Sequence, residues 1–85
     1  MADIIVYSKN RCPYCVRAKE LLTRKGVSFT EINIEEQPDK LNDMFAASEG
    51  RRTFPQIIID GKAIGGSDDL HALDKDGRLD PLLGL

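Results

Sequence analysis

Residues 4–34 read IIVYSKNRCPYCVRAKELLTRKGVSFTEINI. Ile4 to Ser8 is short and rich in β-branched side chains, the signature of a buried strand. A helix follows from about Pro13 to Lys25. Proline suits its first turn, where the missing N–H costs nothing, and Gly26 stops it in the usual C-terminal manner. Within it Cys15, Ala18, Leu21 and Leu22 form an apolar stripe, while Arg17, Lys19, Glu20 and Arg24 face water. Val27 to Ile34 then alternates as a second strand. Strand, helix and strand in this order make a βαβ unit, so the two strands are expected to be parallel, with a right-handed crossover.

Beyond this unit, the pattern from Pro38 to about Ser48 is helical, with Leu41, Met44 and Phe45 inward and Gly50 at its end. Gln56 to Ile59 and Ala63-Ile64 read as strands joined by Asp60-Gly61, the strongest short hairpin signal, and this hairpin adds an antiparallel edge. A last helix is expected from about Ser67 to Lys75, then a short helical turn near Pro81 to Leu83. The order β-α-β-α-β-β-α predicts an α/β fold, a four-stranded mixed sheet with helices on both faces. No linker, repeat or low-complexity stretch interrupts it. The 85 residues are therefore expected to form one domain, 1–85, with a single modest core, because so short a chain buries only roughly 60–65% of its unfolded surface.

A hydrophobic fraction of 41% against 31% charged residues suits a water-soluble domain. No run approaches the ~20 apolar residues of a membrane helix, and the apolar start is too short for a signal peptide. The net charge of −2 conceals an asymmetry. Between residues 9 and 25 stand Lys9, Arg11, Arg17, Lys19, Arg24 and Lys25 against the single acid Glu20. Acids outnumber bases over the rest of the chain. Most of these cations can be read as a solvated helix face, but their field also favours thiolates and small anionic substrates. So short a basic segment in an acidic chain argues against nucleic acid. Two cysteines without an export signal point to a reducing cytosol.

Those two, Cys12 and Cys15, lie inside the basic segment. Cys12 is expected in the loop leaving the first strand, at the cap of the first helix, where the positive helix end and its free N–H groups stabilise an anion. It is thereby placed to be an ionised, exposed thiolate of low pKa. Cys15, one turn inside on the buried stripe, is less accessible but near enough to close a short disulfide. A structural zinc site needs four ligands, and beyond the pair only His71 remains among soft ligands. A staple over so short a loop removes little chain entropy, and the cytosol would reduce it. Two inert core thiols fit poorly with Pro13-Tyr14 between them at a helix start. A C-x-x-C pair beside a βαβ unit reads as a redox pair.

Three motifs then agree in order and spacing. CPYC (12–15) after the first strand, TFPQIIIDG (53–61) and IGGSDDL (64–70) resemble the dithiol glutaredoxins of the small bacterial type, and the likeness spans essentially the whole chain. The resemblance implies a thioredoxin-like fold and a glutathione-dependent thiol–disulfide oxidoreductase, with Cys12 and Cys15 as its catalytic dithiol. It also implies a glutathione site. Lys9, otherwise a solvated loop lysine, would meet the glycine carboxylate. Tyr14 would flank the bound tripeptide. Thr53-Phe54-Pro55 would offer backbone to the substrate before a cis proline, in the manner of an added strand. The family mostly has valine where Phe54 stands; since the contact there is through backbone, binding is expected to survive, with the ring either narrowing the groove or changing protein-substrate preference. Gly66, Ser67 and Asp68 would take the γ-glutamyl end on free helix amides, with the Asp68 carboxylate meeting the ammonium. Taken alone, the same residues are a turn and a helix cap, with Ser67 or Asp68 as N-cap and Asp69 serving the dipole. Arg51 and Arg52 can be extra carboxylate contacts or a solvated loop, and His71 is expected on the surface.

No metal or organic prosthetic group is implied; glutathione is a co-substrate. The expected partners are glutathione and disulfide-containing or glutathionylated proteins, with no membrane and no nucleic acid, and the expected state is a cytoplasmic monomer. Two rivals remain. A disulfide reductase fed by thioredoxin reductase lacks use for the glutathione residues. An iron–sulfur carrier dimer of this resemblance typically carries Cys-Gly-Phe-Ser, from which Pro13 and Cys15 depart.

Overall fold

The first strand leads straight to the centre of the sheet. In the computed structural model, which describes residues 2–85, β1 (Ile4–Ser8) is followed by α1 (Pro13–Arg24), β2 (Thr30–Asn33), a 3-10 turn (Pro38–Lys40), α2 (Leu41–Ala47), β3 (Gln56–Ile59), β4 (Lys62–Gly65), α3 (Ser67–Lys75) and α4 (Leu79–Leu83). Met1, the first residue of the domain expected over 1–85, lies outside the described residues. The strand order is β2-β1-β3-β4. β1 runs parallel to β2 and antiparallel to β3, and β4 is antiparallel to β3. The expected βαβ unit and hairpin edge are both present.

Side-chain alternation along the central strands sorts the core into two halves. Ile4, Val6, Ile57 and Ile59 point to one face and pack with Ala18, Leu21 and Leu22 of α1, Leu70 of α3, and Leu79 and Leu83 of α4. Tyr7 and Ile58 point to the other and meet Met44 of α2 and Ile34. Burial raises the Tyr7 hydroxyl's pKa above its usual value, and the nearby Asp43 carboxylate adds to the rise. The hairpin turn has Asp60 and Gly61 both at positive φ, 50° and 79°, as a tight turn between right-twisted strands requires.

Three boundaries differ from expectation. Val27 to Phe29 is not strand: the Val27 amide donates back to the Leu22 carbonyl and closes the end of α1, so β2 begins only at Thr30. Val27 and Phe29 still pack on the α1-side core, which accounts for their apolar character. The helix from Pro38 begins as a 3-10 turn and becomes α-helical at Leu41. The final helical turn is longer, because Leu79 and Leu83 are both buried against the core. One ion cluster ties the α1-side helices together. Lys25 Nζ lies 2.6 Å from Asp74 Oδ1 of α3 and 2.8 Å from Asp80 Oδ1 of α4. The hydrogen bonds to Asp74 and then Asp80 raise the lysine's pKa.

Candidate active site

Cys12 occupies the N-cap of α1 in extended conformation, and its sulfur accepts the Cys15 backbone N–H at 3.1 Å. The two cysteines are joined in a disulfide, with their Cα atoms 5.2 Å apart. Cys15 is 1% exposed, as its place on the apolar stripe requires. Cys12 is not the exposed residue expected from sequence. Its exposure is 7%, since the sulfur turns back over the helix end. It remains the more accessible of the pair. The loop leading to it, Lys9 to Arg11, is anchored to the end of β2. The Asn10 amide donates to the Glu35 carboxylate, and the Asn33 side-chain amide donates to Asn10 Oδ1 at 2.9 Å.

Two concavities lie at the CPYC segment, one bordered by Tyr14 and the other by both cysteines. One, of about 230 Å³, brings together Tyr14, Thr53, Phe54, Gly66, Ser67 and Asp68, and adds Arg51 and Asp69. The Phe54–Pro55 peptide is cis, and Pro55 itself is buried beneath the groove rather than lining it. Phe54 is half-buried, packing partly on the α2-side core while bordering the groove. Tyr14 stands 53% exposed on the outer rim, with the Arg17 guanidinium 5.9 Å from its ring centre.

The start of α3 departs from the expected cap. Gly66, not Ser67 or Asp68, is the N-cap; Asp69 accepts the Gly66 N–H at 3.0 Å. Ser67 and Asp68 thus become the first two helical residues, whose amides have no intrahelical partner. Gly65 has φ 116°, and a Cβ there would collide with the Asp69 carboxylate, so the sequence needs glycine at this entry. His71 is half-buried rather than on the open surface, because its Nδ1 donates to the Ser67 carbonyl at 2.8 Å. Arg51 lines the groove, with Nη1 3.9 Å from Asp69 Oδ2. Arg52 does not; its guanidinium lies over the Phe45 ring at 5.5 Å.

The second concavity, about 500 Å³, is bordered by Lys9, Cys12, Cys15, Lys19 and Glu31, among others. Lys9 therefore belongs to this flank, although its ammonium reaches over the Phe54 ring at 5.4 Å. Lys19, expected to face water, instead lies 2.8 Å from Glu31 Oε2 on β2. The same oxygen accepts the hydroxyl of the fully buried Ser8 at 2.7 Å. The Lys19 hydrogen bond, then that of Ser8, holds the Glu31 carboxyl below the usual range against a smaller opposing effect of burial. This cluster was not singled out from sequence. Its signal was the alternation of β2: Ile32 and Ile34 point to the α2 side, which leaves Glu31 and Asn33 beneath α1.

A recessed disulfide at a helix start beside a cleft is the arrangement that thiol–disulfide exchange needs. The family model for glutaredoxins matches residues 4–64. The chain belongs to the glutaredoxin family. It is 55% identical over 83 residues to glutaredoxin 3 of Escherichia coli (strain K12), covering 98% of this chain and 99% of that one. The solution structure of a glutaredoxin from Brucella melitensis superposes with a TM-score of 0.81 at 49% identity, covering 98% of this chain and 89% of that chain. The crystal structure of a buckwheat glutaredoxin–glutathione complex gives a TM-score of 0.87 at 33% identity, covering 98% and 77%. The α/β fold is accordingly thioredoxin-like, and this glutaredoxin is a glutathione-dependent thiol–disulfide oxidoreductase. Among its described residues no helix is long and apolar enough to cross a membrane.

Proposed function

We propose that Cys12 is the nucleophile and Cys15 the resolving thiol. In the reduced protein Cys12 attacks one sulfur of a protein disulfide, forming a mixed disulfide and releasing the other sulfur as a thiolate. Cys15 then loses its proton and attacks Cys12 Sγ, freeing the substrate and closing the Cys12–Cys15 disulfide. One glutathione thiolate reopens that disulfide at Cys12, and a second attacks the glutathione sulfur, releasing Cys12 and oxidised glutathione. A glutathionylated cysteine needs only the last exchange, with Cys12 taking the glutathione directly.

Glutathione is proposed to lie in the groove of Tyr14, Thr53, Phe54, Gly66, Ser67 and Asp68. Thr53, Phe54 and Pro55 would offer backbone, the open amides of Ser67 and Asp68 a carboxylate site, and the Asp68 side chain a partner for the ammonium. Lys9 would hold the other carboxylate from across the sulfurs, and Arg51 adds a cation to the rim. The buckwheat relative, whose structure is a glutathione complex, supports the reading. Protein disulfides and glutathionylated proteins are the proposed partners, of a single-domain cytoplasmic monomer without a resident cofactor.

The observation that carries this reading is Cys12 as N-cap, with Cys15 one turn inside. A coupled assay with glutathione, glutathione reductase and a small glutathione mixed disulfide tests it. Turnover that depends on Cys12 is expected; none would overturn the assignment.

A further inference from the structure

Opening the Cys12–Cys15 disulfide asks more of one sulfur than of the other. When a glutathione thiolate attacks Cys12 Sγ, a new S–S bond forms there, the old bond breaks, and the bonding pair departs on Cys15 Sγ. Cys15 is 1% exposed, so water is poorly placed to hold the new charge. The N–H of Cys15 itself is already given to Cys12 Sγ. The charge must be met from another direction, and the cavity that Cys15 borders offers one.

Three lysine or arginine side chains border that cavity: Lys9, Arg11 and Lys19. Lys9 and Arg11 lie in the loop before Cys12, and the Lys9 ammonium rests over Phe54. Lys19 is four residues beyond Cys15 on α1, which puts both on one helix face. Its ammonium is moored by Glu31 Oε2, itself held by the buried Ser8 hydroxyl. An ammonium has three N–H donors; this contact uses one and fixes where the others can reach. Glu31, bonded twice and kept ionised, is a poor proton acceptor.

We propose that Lys19, held in place by Glu31 and Ser8, supplies the positive charge toward which the leaving Cys15 sulfur develops its own charge when glutathione opens the disulfide. Glu31 and Ser8 are positioning residues that act through it. In the reverse step Lys19 eases loss of the Cys15 proton to water as Cys15 attacks Cys12 Sγ. Once Cys15 is protonated the attraction is gone, so both rates change while the equilibrium potential stays nearly fixed. The inference rests on the assignment of nucleophile and resolver made above.

The test is the rate at which glutathione opens the oxidised protein, followed by acid quenching and mass spectrometry. Lys19→Met is expected to open about five-fold more slowly, the size of a partial leaving charge acting on a partly exposed ammonium. Lys19→Arg should recover most of that rate, and Ser8→Ala should lose about two-fold. In a Cys15→Ser background, where no Cys15 sulfur leaves, adding Lys19→Met should not further slow glutathione's attack on the Cys12–glutathione mixed disulfide. A Lys19→Met protein that opens at the wild-type rate would overturn the inference. So would an equal slowing in the Cys15→Ser background, which would give Lys19 a role in attracting glutathione instead. A wild-type disulfide that glutathione cannot open would refute the assignment of roles itself.

Discussion

The two flanks of the disulfide are built from different material. On one side the groove is bordered by Thr53 and Phe54 ahead of the cis proline, by Gly66 at the cap of α3 and by the first residues of α3. On the other, regular elements face each other, and the chemistry lies in side chains of α1, β1 and β2 bonded to one another. Open amides and carbonyls suit a flexible peptide-like ligand that arrives and leaves, since such groups pair with its backbone. A lysine fixed by a carboxylate and a buried hydroxyl suits a charge that appears on a fixed atom, because it need not reorganise when that charge forms. On the proposed reading, recognition and sulfur chemistry fall to different flanks.

The largest expected effect probes the sulfurs between the flanks. Cys12→Ser should lose activity on every substrate, because Cys15 lacks the cap position and the access. Cys15→Ser should keep substantial activity on small glutathione mixed disulfides and lose most of its activity on protein disulfides, where the resolver one helical turn away is the fast way out. Steady-state assays of both variants on both substrate types decide this; an active Cys12→Ser protein would reverse the roles.

Next come the flanks themselves. Asp68→Ala should raise KM for glutathione mixed disulfides about five- to thirty-fold with a smaller fall in kcat, the loss of one charge-assisted hydrogen bond at a partly exposed site. Lys9→Ala is the sharper probe, because Lys9 borders the second cavity yet reaches over Phe54. A KM effect matching that of Asp68→Ala makes Lys9 the bridge between the flanks. An effect on disulfide opening without a KM change assigns it to the sulfur side.

A moderate effect is expected in alkylation. Iodoacetamide modification of Cys12 in the reduced protein should titrate with a midpoint well below the ~8.5 of a free thiol, because Cys12 caps the positive N-terminus of α1. A midpoint at or above that value would remove the helix end as an activating feature.

The smallest effect is on acid stability and concerns the side-chain flank alone. Glu31 has a lowered pKa in the folded protein, so it releases its proton more readily folded than unfolded. Its stabilising contribution is complete above the unfolded value of about 4.5 and fades as pH falls through the lower folded value. Glu31→Gln should flatten the fall in melting temperature below pH 4.5 by a small amount and leave the curve near neutrality parallel to wild type. An unchanged acid limb would mean that the Lys19 contact is too solvated to matter.

Much of this was legible in the chain. Ile4–Ser8, Pro13 and Gly26 around an apolar stripe, and Asp60-Gly61 each carry a local signal, and the elements stand where those signals put them. The residues of the groove came from the family resemblance of three short motifs; read alone, those motifs gave only a turn and a helix cap, and of the residues so named Lys9 and Pro55 do not line the groove. The other flank was not legible, because Lys19 meets Glu31 twelve residues away and Ser8 meets it across 23. A hydropathy pattern reads Lys19 as solvated when its partner lies on another element. The same limit explains Cys12, whose burial depends on how its sulfur folds back onto α1, and His71, drawn inward by a carbonyl one turn earlier. Val27 and Phe29 misled for a different reason: apolar residues need not be strand to be buried.

The order β2-β1-β3-β4 has a consequence for how the molecule meets its own copies. The two segments most prone to pair with another chain, Ile4–Ser8 and the isoleucines of Gln56–Ile59, occupy the inner positions, where both of their hydrogen-bonding edges are taken. The outer strands are only four residues long and present Thr30, Glu31 and Lys62 to solvent. Short charged margins are how sheets resist edge-to-edge addition. Four-residue margins leave a strand from a neighbouring molecule little ladder to extend, and the isoleucine-rich segments are already paired on both sides.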